Sequence, residues 1–421
     1  MQEVNFKHTE IGLIPYDWEV KELGQLCKVN GRVGFRGYNK SDLVPRGMGA
    51  YTIGCKHISK NRLDLSDPEY ISWRKYYESP EIMVKMGDIL LAQRGTLGVS
   101  AIVSKDIGPA TINPSLVLLN KIQCNNLFLS YYLKTKESID EVSQNASLTS
   151  IPMISQKQIE LLRVILPPTT TEQERIADAL SKIDNLITDL DALIEKKRAI
   201  KTGTMQQLLT GKKRLKGYSG EWVRVTFEDV ISRFATGLNP RNNFVLNDGG
   251  FLYYVTIKDF KDGVLYFESC DRINEVAFEL IQKRADLKKG DLLFSSIGRV
   301  GDAYVIKEDP KDWNINESVY NLRPNYDKIT SDFLYFMIKS KDVSNKLQEA
   351  VTGSTLRSIK MSHLKQISFF IPPTIDEQNA IASILSSMDT EIAALEQKRD
   401  KYIAIKQGMM QNLLTGKIRL V

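Results

Sequence analysis

PPTTTEQERIADALSKIDNLITDLDALIEKKRAIKTGTMQQLLTGKKRL (167–215) returns as PPTIDEQNAIASILSSMDTEIAALEQKRDKYIAIKQGMMQNLLTGKIRL (372–420), a constant 205 residues later. Without a gap, 26 of the 49 positions are identical. Pro167–Pro168 and Pro372–Pro373 stop whatever precedes them. Thr169 with Glu172, and Thr374 with Glu377, have the spacing of a capping box. Apolar residues then recur four and three apart, at Ile176, Leu180, Ile183, Ile187, Leu190 and Ile194, and at Ile381, Leu385, Met388, Ile392 and Leu395. That is a heptad seam, and it predicts a helix from Thr171 to Thr210 that would be ~60 Å long, ending at Gly211, with Gly416 ending its copy. Gly203 and Gly408 sit inside the pattern at matching positions, where a kink or a close helix crossing is expected.

A lone amphipathic helix of this length cannot bury its stripe. Two copies in one chain can pack on each other, and an antiparallel pair gives a pseudo-two-fold rod with one variable block near each end. The alternative is that each helix packs only on its own block or on a separate chain.

Working outward, the repeat continues more weakly. DWEVKELGQL aligns with EWVRVTFEDV, KMGDILLAQRGTLGVSAIV with KKGDLLFSSIGRVGDAYVI, and TINPSLVLL (111–119) with NINESVYNL (314–322). The variable blocks read as mixed α and β. DILLAQ, SAIVS, SLVLL, DLLFSS and DAYVI have strand composition. Segments 125–142 and 331–351 have helical spacing, with aromatics that read as core. The expected fold is α+β: two α/β-mixed domains in a tandem pseudo-two-fold repeat, separated by two long helices packed as an antiparallel coiled coil. The expected boundaries are 1–165 and 216–370 for the domains, with 166–215 and 371–421 for the helical blocks.

Composition sets the outer limits. The 421 residues are 42% hydrophobic and 26% charged, typical of a globular chain of two or three domains. No run of ~18 apolar residues offers a membrane span. The polar start MQEVNFKHTE does not read as a signal peptide. The four cysteines are scattered, which fits a reducing cytoplasm better than a zinc module or a disulfide framework. A net charge of +6 permits an acidic partner without demanding one.

The helical blocks, with their PPTTTEQ and PPTIDEQ starts and their LLTGKKRL and LLTGKIRL ends, resemble those of the DNA-specificity (S) subunit of type I restriction-modification systems. IGLIPYDWEVKELGQL and GYSGEWVRVTFEDV resemble the family's lead-ins to its two target recognition domains, and Gly87–Asp88 and Gly290–Asp291 its Gly-Asp strand. The resemblance covers nearly the whole chain. It implies a non-catalytic reader of double-stranded DNA, each domain contacting one half of a bipartite, asymmetric site. The helices would act as spacer and as docking surface for two methyltransferase subunits, which restriction subunits join. Methyl donor and ATP would then belong to partner subunits, with no cofactor or metal on this chain. The competing reading is a helical scaffold with two protein-binding domains.

The residues offer no chemistry of their own. There is no GxxxxGK[ST] loop, and Asn113-Pro114-Ser115-Leu116 lacks the second proline and the aromatic of an adenine-methyltransferase signature. Asp17, Glu19 and Lys21 mimic a nuclease cluster but lack an upstream acid. No catalytic residue is expected.

Base and phosphate contacts call for donors on loops. In the first domain the candidates are Arg32, Arg36, Tyr38 and Lys40 in GRVGFRGYNK, then Lys56, His57, Arg94, Thr96, Ser147 and Thr149. In the second they are Arg233, Thr236, Asn239, Arg241, Asn242, Lys258, Arg299, Ser354, Thr355 and Arg357. Several fall at matching places in the repeat, with Arg94 near Arg299 and ASLTS near STLRS. The run from Lys196 to Lys216 carries eight basic residues and no acid, which favours contact with a partner or a phosphate backbone over simple complementing of a helix C-terminus with solvation.

Overall fold

A computed structural model of the chain describes residues 5–59, 61–147, 151–353 and 357–420. The chain divides into two compact units, residues 1–191 with 397–421, and residues 192–396. The division falls inside both long helices, Thr170–Leu208 and Ile375–Leu413, so each unit holds one half of each helix.

The first unit is built on a four-stranded antiparallel sheet, in the order Ser100–Ile102, Ile89–Ala92, Leu116–Asn120, Lys28–Gly31. A three-stranded sheet pairs Gly49–Ile53 parallel with Ala110–Ile112 and antiparallel with Tyr70–Ser72. The apolar runs expected to be strands are strands, and their continuity has a reason: the larger sheet is buried on both faces. Ile89, Leu91, Val117 and Leu119 enter one core with Trp18, Phe128, Ile176 and Leu180. Their alternates Leu90, Ala92, Leu116 and Leu118 enter a second core with Ile53 and Ile112.

The second unit repeats this topology. Its larger sheet runs Ala303–Val305, Leu292–Ser295, Val319–Pro324, Ile231–Thr236. Its smaller one pairs Leu252–Val255 parallel with Trp313–Ile315 and antiparallel with Asp271–Ile273. Each domain is tied off beside its helix by a two-stranded ribbon, Glu19–Glu22 with Arg163–Leu166 and Val223–Thr226 with Ser368–Ile371.

The aromatic segments hold their rings in the core as expected, but each is two helices rather than one. Asn126–Tyr132 gives way to Lys136–Gln144, which Thr135 caps. Ser331–Lys339 gives way to Lys341–Ala350, which Ser340 caps. In both cases a hydroxyl accepts from a backbone N–H three residues on and re-aims the chain.

The two helices run antiparallel within each unit. In the first, Asp184 meets Lys406 at 2.8 Å and Asp191 meets Arg399 at 3.5 Å. In the second, Arg198 meets Glu396 and Lys201 meets Asp389, both at 2.5 Å. The seam divides its labour. Ile176, Leu180, Ile381 and Leu385 enter the domain cores, while Ile187, Leu190, Ile194 and Ile392 are buried along the mid-helix. Ile183, Met388 and Leu395 are half-buried. Gly211 and Gly416 end the helices as expected, at φ +67° and +74°. The expected close crossing at Gly203 and Gly408 is absent, since a Cβ built at either meets nothing within 4 Å.

Candidate nucleic-acid interface

The helix starts and helix ends that define the repeat meet each other. Thr169 Oγ1 accepts from the Glu172 N–H at 3.2 Å, and Thr374 Oγ1 from the Glu377 N–H at 3.3 Å. The carboxylates do not complete the box. Glu172, 2% exposed, takes Arg419 from LLTGKIRL at 2.6 and 2.8 Å; Glu377, 1% exposed, takes Arg214 from LLTGKKRL at 2.7 Å twice. The adjoining glutamines are buried as well. Gln173 receives the Asn125 N–H and donates to the Pro167 carbonyl; Gln378 receives the Thr330 N–H and donates to the Pro372 and Lys328 carbonyls. Each EQ thus fastens helix, ribbon and domain together. The spacing alone did not show this, although an acid and an arginine recurring at fixed places in both copies was a signal for it.

With the domain fixed on its helices, five turns converge in the first domain, and three of their backbone bonds recur in the second. In the first, Ser115 Oγ receives the Cys55 N–H at 3.1 Å, and the Ser115 carbonyl receives the Gln93 N–H at 2.9 Å. The Gln93 carbonyl receives Ile154 N–H at 3.0 Å, Pro152 that of Gly95 at 3.1 Å, and Gln156 Oε1 that of Gly31 at 3.1 Å. In the second domain Ser318 receives Ser296, Ser296 receives Ile359, and Arg357 receives Gly298, at 3.1, 2.9 and 2.8 Å. These three backbone bonds are common to both domains, and the side chains carried on them differ. Arg94 stands where the second domain has Ile297, each bridged to the strand-like segment opposite, at Met153 and Ser358 respectively.

Most of the expected readers are held by the fold itself. Arg32 is 5% exposed, donates to the Ile112 and Arg36 carbonyls and to Thr111 Oγ1, and lies over the Tyr38 ring. Burial also pulls its pKa down. Arg36 pairs with Glu81 at 3.3 Å, and Tyr38 with Thr52 at 3.0 Å. Lys56 bridges Asp67 and Glu69, and those hydrogen bonds hold its ammonium above the ordinary lysine range. His57 is buried, with Nδ1 on the Gly54 N–H and Nε2 on the Asp67 carbonyl. Ser147 bonds the Met153 carbonyl.

In the second domain Arg233 donates to the Arg284 carbonyl beside Asp286, Lys258 faces Asp271 at 3.6 Å, and Arg357 donates to Gln348. Thr236 donates to the Gly237 carbonyl, and Asn239 accepts from Asn243. Arg299 corrects the expected match. Its counterpart is Thr96, which is exposed, and it is a brace: it bonds Asp302 at 2.6 Å and the Ile257 and Phe260 carbonyls at 3.0 and 3.2 Å. Among the described residues Lys40, Arg94, Arg241 and Asn242 are exposed and have no ion pair. Thr149, Ser354 and Thr355 lie outside the described residues. The basic run is partly spent too, with Lys197, Arg198, Lys201 and Arg214 on acids of the second helix.

The turns of the first domain enclose a cavity of ≈ 440 Å³ lined by Arg32, Gln93, Arg94, Met153 and Gln156 among others. Sequence reasoning missed Gln93, Met153 and Gln156, which are neither basic nor glycine-flanked. Of the nuclease-like trio, Asp17 bonds Arg419 and Lys21 pairs with Glu19. Among the described residues no group of three His, Cys, Asp or Glu could hold a metal ion, and no helix is long and apolar enough to cross a membrane.

Residues 15–201 and 219–404 match the model of the type I restriction modification DNA specificity domain. The chain is 26% identical to the putative type I restriction enzyme MjaX specificity subunit of Methanocaldococcus jannaschii, covering 100% of this chain and 98% of that one. It is also 26% identical to the MjaVIII specificity subunit of the same organism, covering 100% and 97%. The S subunit of a type I restriction-modification system from M. genitalium superimposes with a TM-score of 0.59 at 15% identity, covering 98% and 97%. A chain from a structure concerned with complex assembly and conformational transition of the type I R-M system gives 0.55 at 16%, covering 96% and 99%.

Proposed function

The chain belongs to the type I restriction-modification DNA specificity family, in a specificity rather than a catalytic role, and from that premise we propose that its two domains read the two halves of a bipartite, asymmetric site on double-stranded DNA. The observation that carries this is the pairing of one loop scaffold with two different sets of side chains. A module that must hold its loops still, yet read a different sequence in each copy, needs that combination. Residues 1–165 and 216–370 serve as the recognition domains, and 166–215 and 371–421 as the helical blocks.

The helices set the gap between half-sites and give two methyltransferase subunits their docking surface, to which restriction subunits add. The methyl donor and ATP bind on those partners, and the assembly works in the cytoplasm. The structural relative studied for type I R-M complex assembly supports this arrangement. The test is methylation by the full chain with its methyltransferase subunits and methyl donor, followed by mapping of modified adenines. A two-part motif with a fixed gap is expected. Modification without sequence preference, or none at all, would overturn the reading and favour the scaffold.

A further inference from the structure

Arg94 is the one arginine of the converging turns in the first domain whose terminal nitrogens hold no partner among the described residues. Arg32 spends all three guanidinium nitrogens on the fold, and Arg36 is committed to Glu81. Arg94 uses only Nε, which donates to Met153 Sδ at 3.1 Å. That contact turns the Nε edge of the guanidinium back onto the fold and leaves the two Nη groups open. Its backbone is fixed as well: residue 94 bridges Met153, its carbonyl accepts from Cys55 Sγ, and the next N–H is held by the Pro152 carbonyl. The result is an exposed fork on a rigid base at the rim of the 440 Å³ cavity.

The neighbouring chemistry narrows the ligand. Gln156 spends Oε1 on the Gly31 N–H, and its Nε2 has no hydrogen-bond partner among the described residues. The rim therefore presents donors from both side chains. In the major groove guanine shows two adjacent acceptors, N7 and O6, whereas adenine sets a donor beside its acceptor. A fixed fork of two N–H donors matches the first edge and conflicts with the second. At the same place the second domain carries Ile297, which has no donor and can meet only an apolar edge such as a thymine methyl.

Resting on the DNA-reading function above, we propose that Arg94 reads a guanine in the half-site of the first domain, both Nη groups donating to its O6 and N7.

The experiment uses the full chain with its methyltransferase subunits and a duplex library randomised across both half-sites. For the wild type, guanine should be preferred at one position of one half-site by roughly 10- to 100-fold. R94A should flatten that position and leave the other half-site unchanged. R94Q, which offers one donor and one acceptor, should move the preference toward adenine. Thermal melting of both variants keeps a folding defect separate from a specificity change, and R94Q is the folded arm if R94A is not. Even loss of methylation across all sequences would make Arg94 a phosphate contact and overturn the proposal. So would an unchanged motif in a folded variant, with the DNA-reading function left intact. A wild-type complex with no bipartite motif would overturn that function, and this proposal with it.

Discussion

Glu172–Arg419 in the first unit and Glu377–Arg214 in the second are the same joint with different third partners. Arg419 also grips Asp17 at 2.8 and 2.9 Å and lies over the Trp18 ring. Arg214 instead donates to the Ser219 and Gly220 carbonyls. The long-helix motifs supply the pair, and the lead-in to each domain supplies whatever is left. A duplicated module can therefore keep its joint while the rest of each copy drifts. The loop faces follow the same division: backbone bonds recur, and Arg94 changes to Ile297.

The joint gives the largest effect. Removing one member of a buried pair strands the other charge, at a cost of about 3–5 kcal/mol. E377A leaves Arg214 with neutral carbonyls, whereas E172A leaves Arg419 with the Asp17 carboxylate. E377A should therefore lie near the top of that range and E172A ~1 kcal/mol below it. Melting curves, with hydrogen exchange at the last turn of the helix that each arginine follows, would read the difference. Equal losses would mean that Asp17 contributes nothing.

The helix stops come next. A Cβ on Gly416 would lie 2.3 Å from Pro15 Cγ and 3.3 Å from Trp18, whereas one on Gly211 meets Trp222 at 3.3 Å. Both pay the left-handed backbone cost of roughly 1–2 kcal/mol, and G416A must also displace the Pro15 ring. G416A should lower Tm clearly more than G211A.

Arg299 and Thr96 carry a smaller contrast. R299A removes the brace on the Ile257–Phe260 turn and should cost about 1–2 kcal/mol, most of it from hydrogen bonds to a charged group. T96A should lie within ~0.5 kcal/mol of wild type. A silent R299A would return Arg299 to the list of DNA contacts.

These contrasts show what could be read from the sequence. The helices were legible because 3.6-residue periodicity and terminal glycines are local signals. The strands were legible because a sheet buried on both faces needs unbroken apolar runs. The readers were not, because whether a basic loop residue is free depends on acids that only the fold brings near. Glu81 lies 45 residues from Arg36, and Asp286 lies 53 from Arg233. The Arg94–Arg299 match failed on two residues of register: by backbone bonding, the two glycines Gly95 and Gly298 correspond, which sets Arg94 opposite Ile297. The close crossing expected at Gly203 and Gly408 failed for the opposite reason, since a glycine on an open helix face has the same sequence signature as one at a crossing.

The smallest contrast is also pH-dependent. Lys339 in the second unit finds Asp302 at 3.2 Å and Asp262 at 3.5 Å. Its counterpart Lys134 has no ion pair within 4 Å among the described residues. It lies over the Tyr131 ring, close to Lys406 and Arg62, and Asp184 is already shared by those two. Desolvation, with Lys406 adding to it, lowers the Lys134 ammonium from 10.5 to about 8. The folded chain then binds fewer protons than the unfolded chain between about pH 8 and 10.5. Stability from this group rises with pH through that window, and its cost is fully present below pH 8. K134M keeps the aliphatic stem and should stabilise the protein by about 1 kcal/mol at pH 7. The gain over wild type should fade as pH climbs from 8 to 10.5. K339M, which removes a cation from Asp262 and leaves Asp302 with Arg299 alone, should destabilise slightly at pH 7. Melting both variants at pH 7 and pH 10 checks the signs, and a K134M gain that does not shrink with pH would remove Lys134 ionisation as its cause.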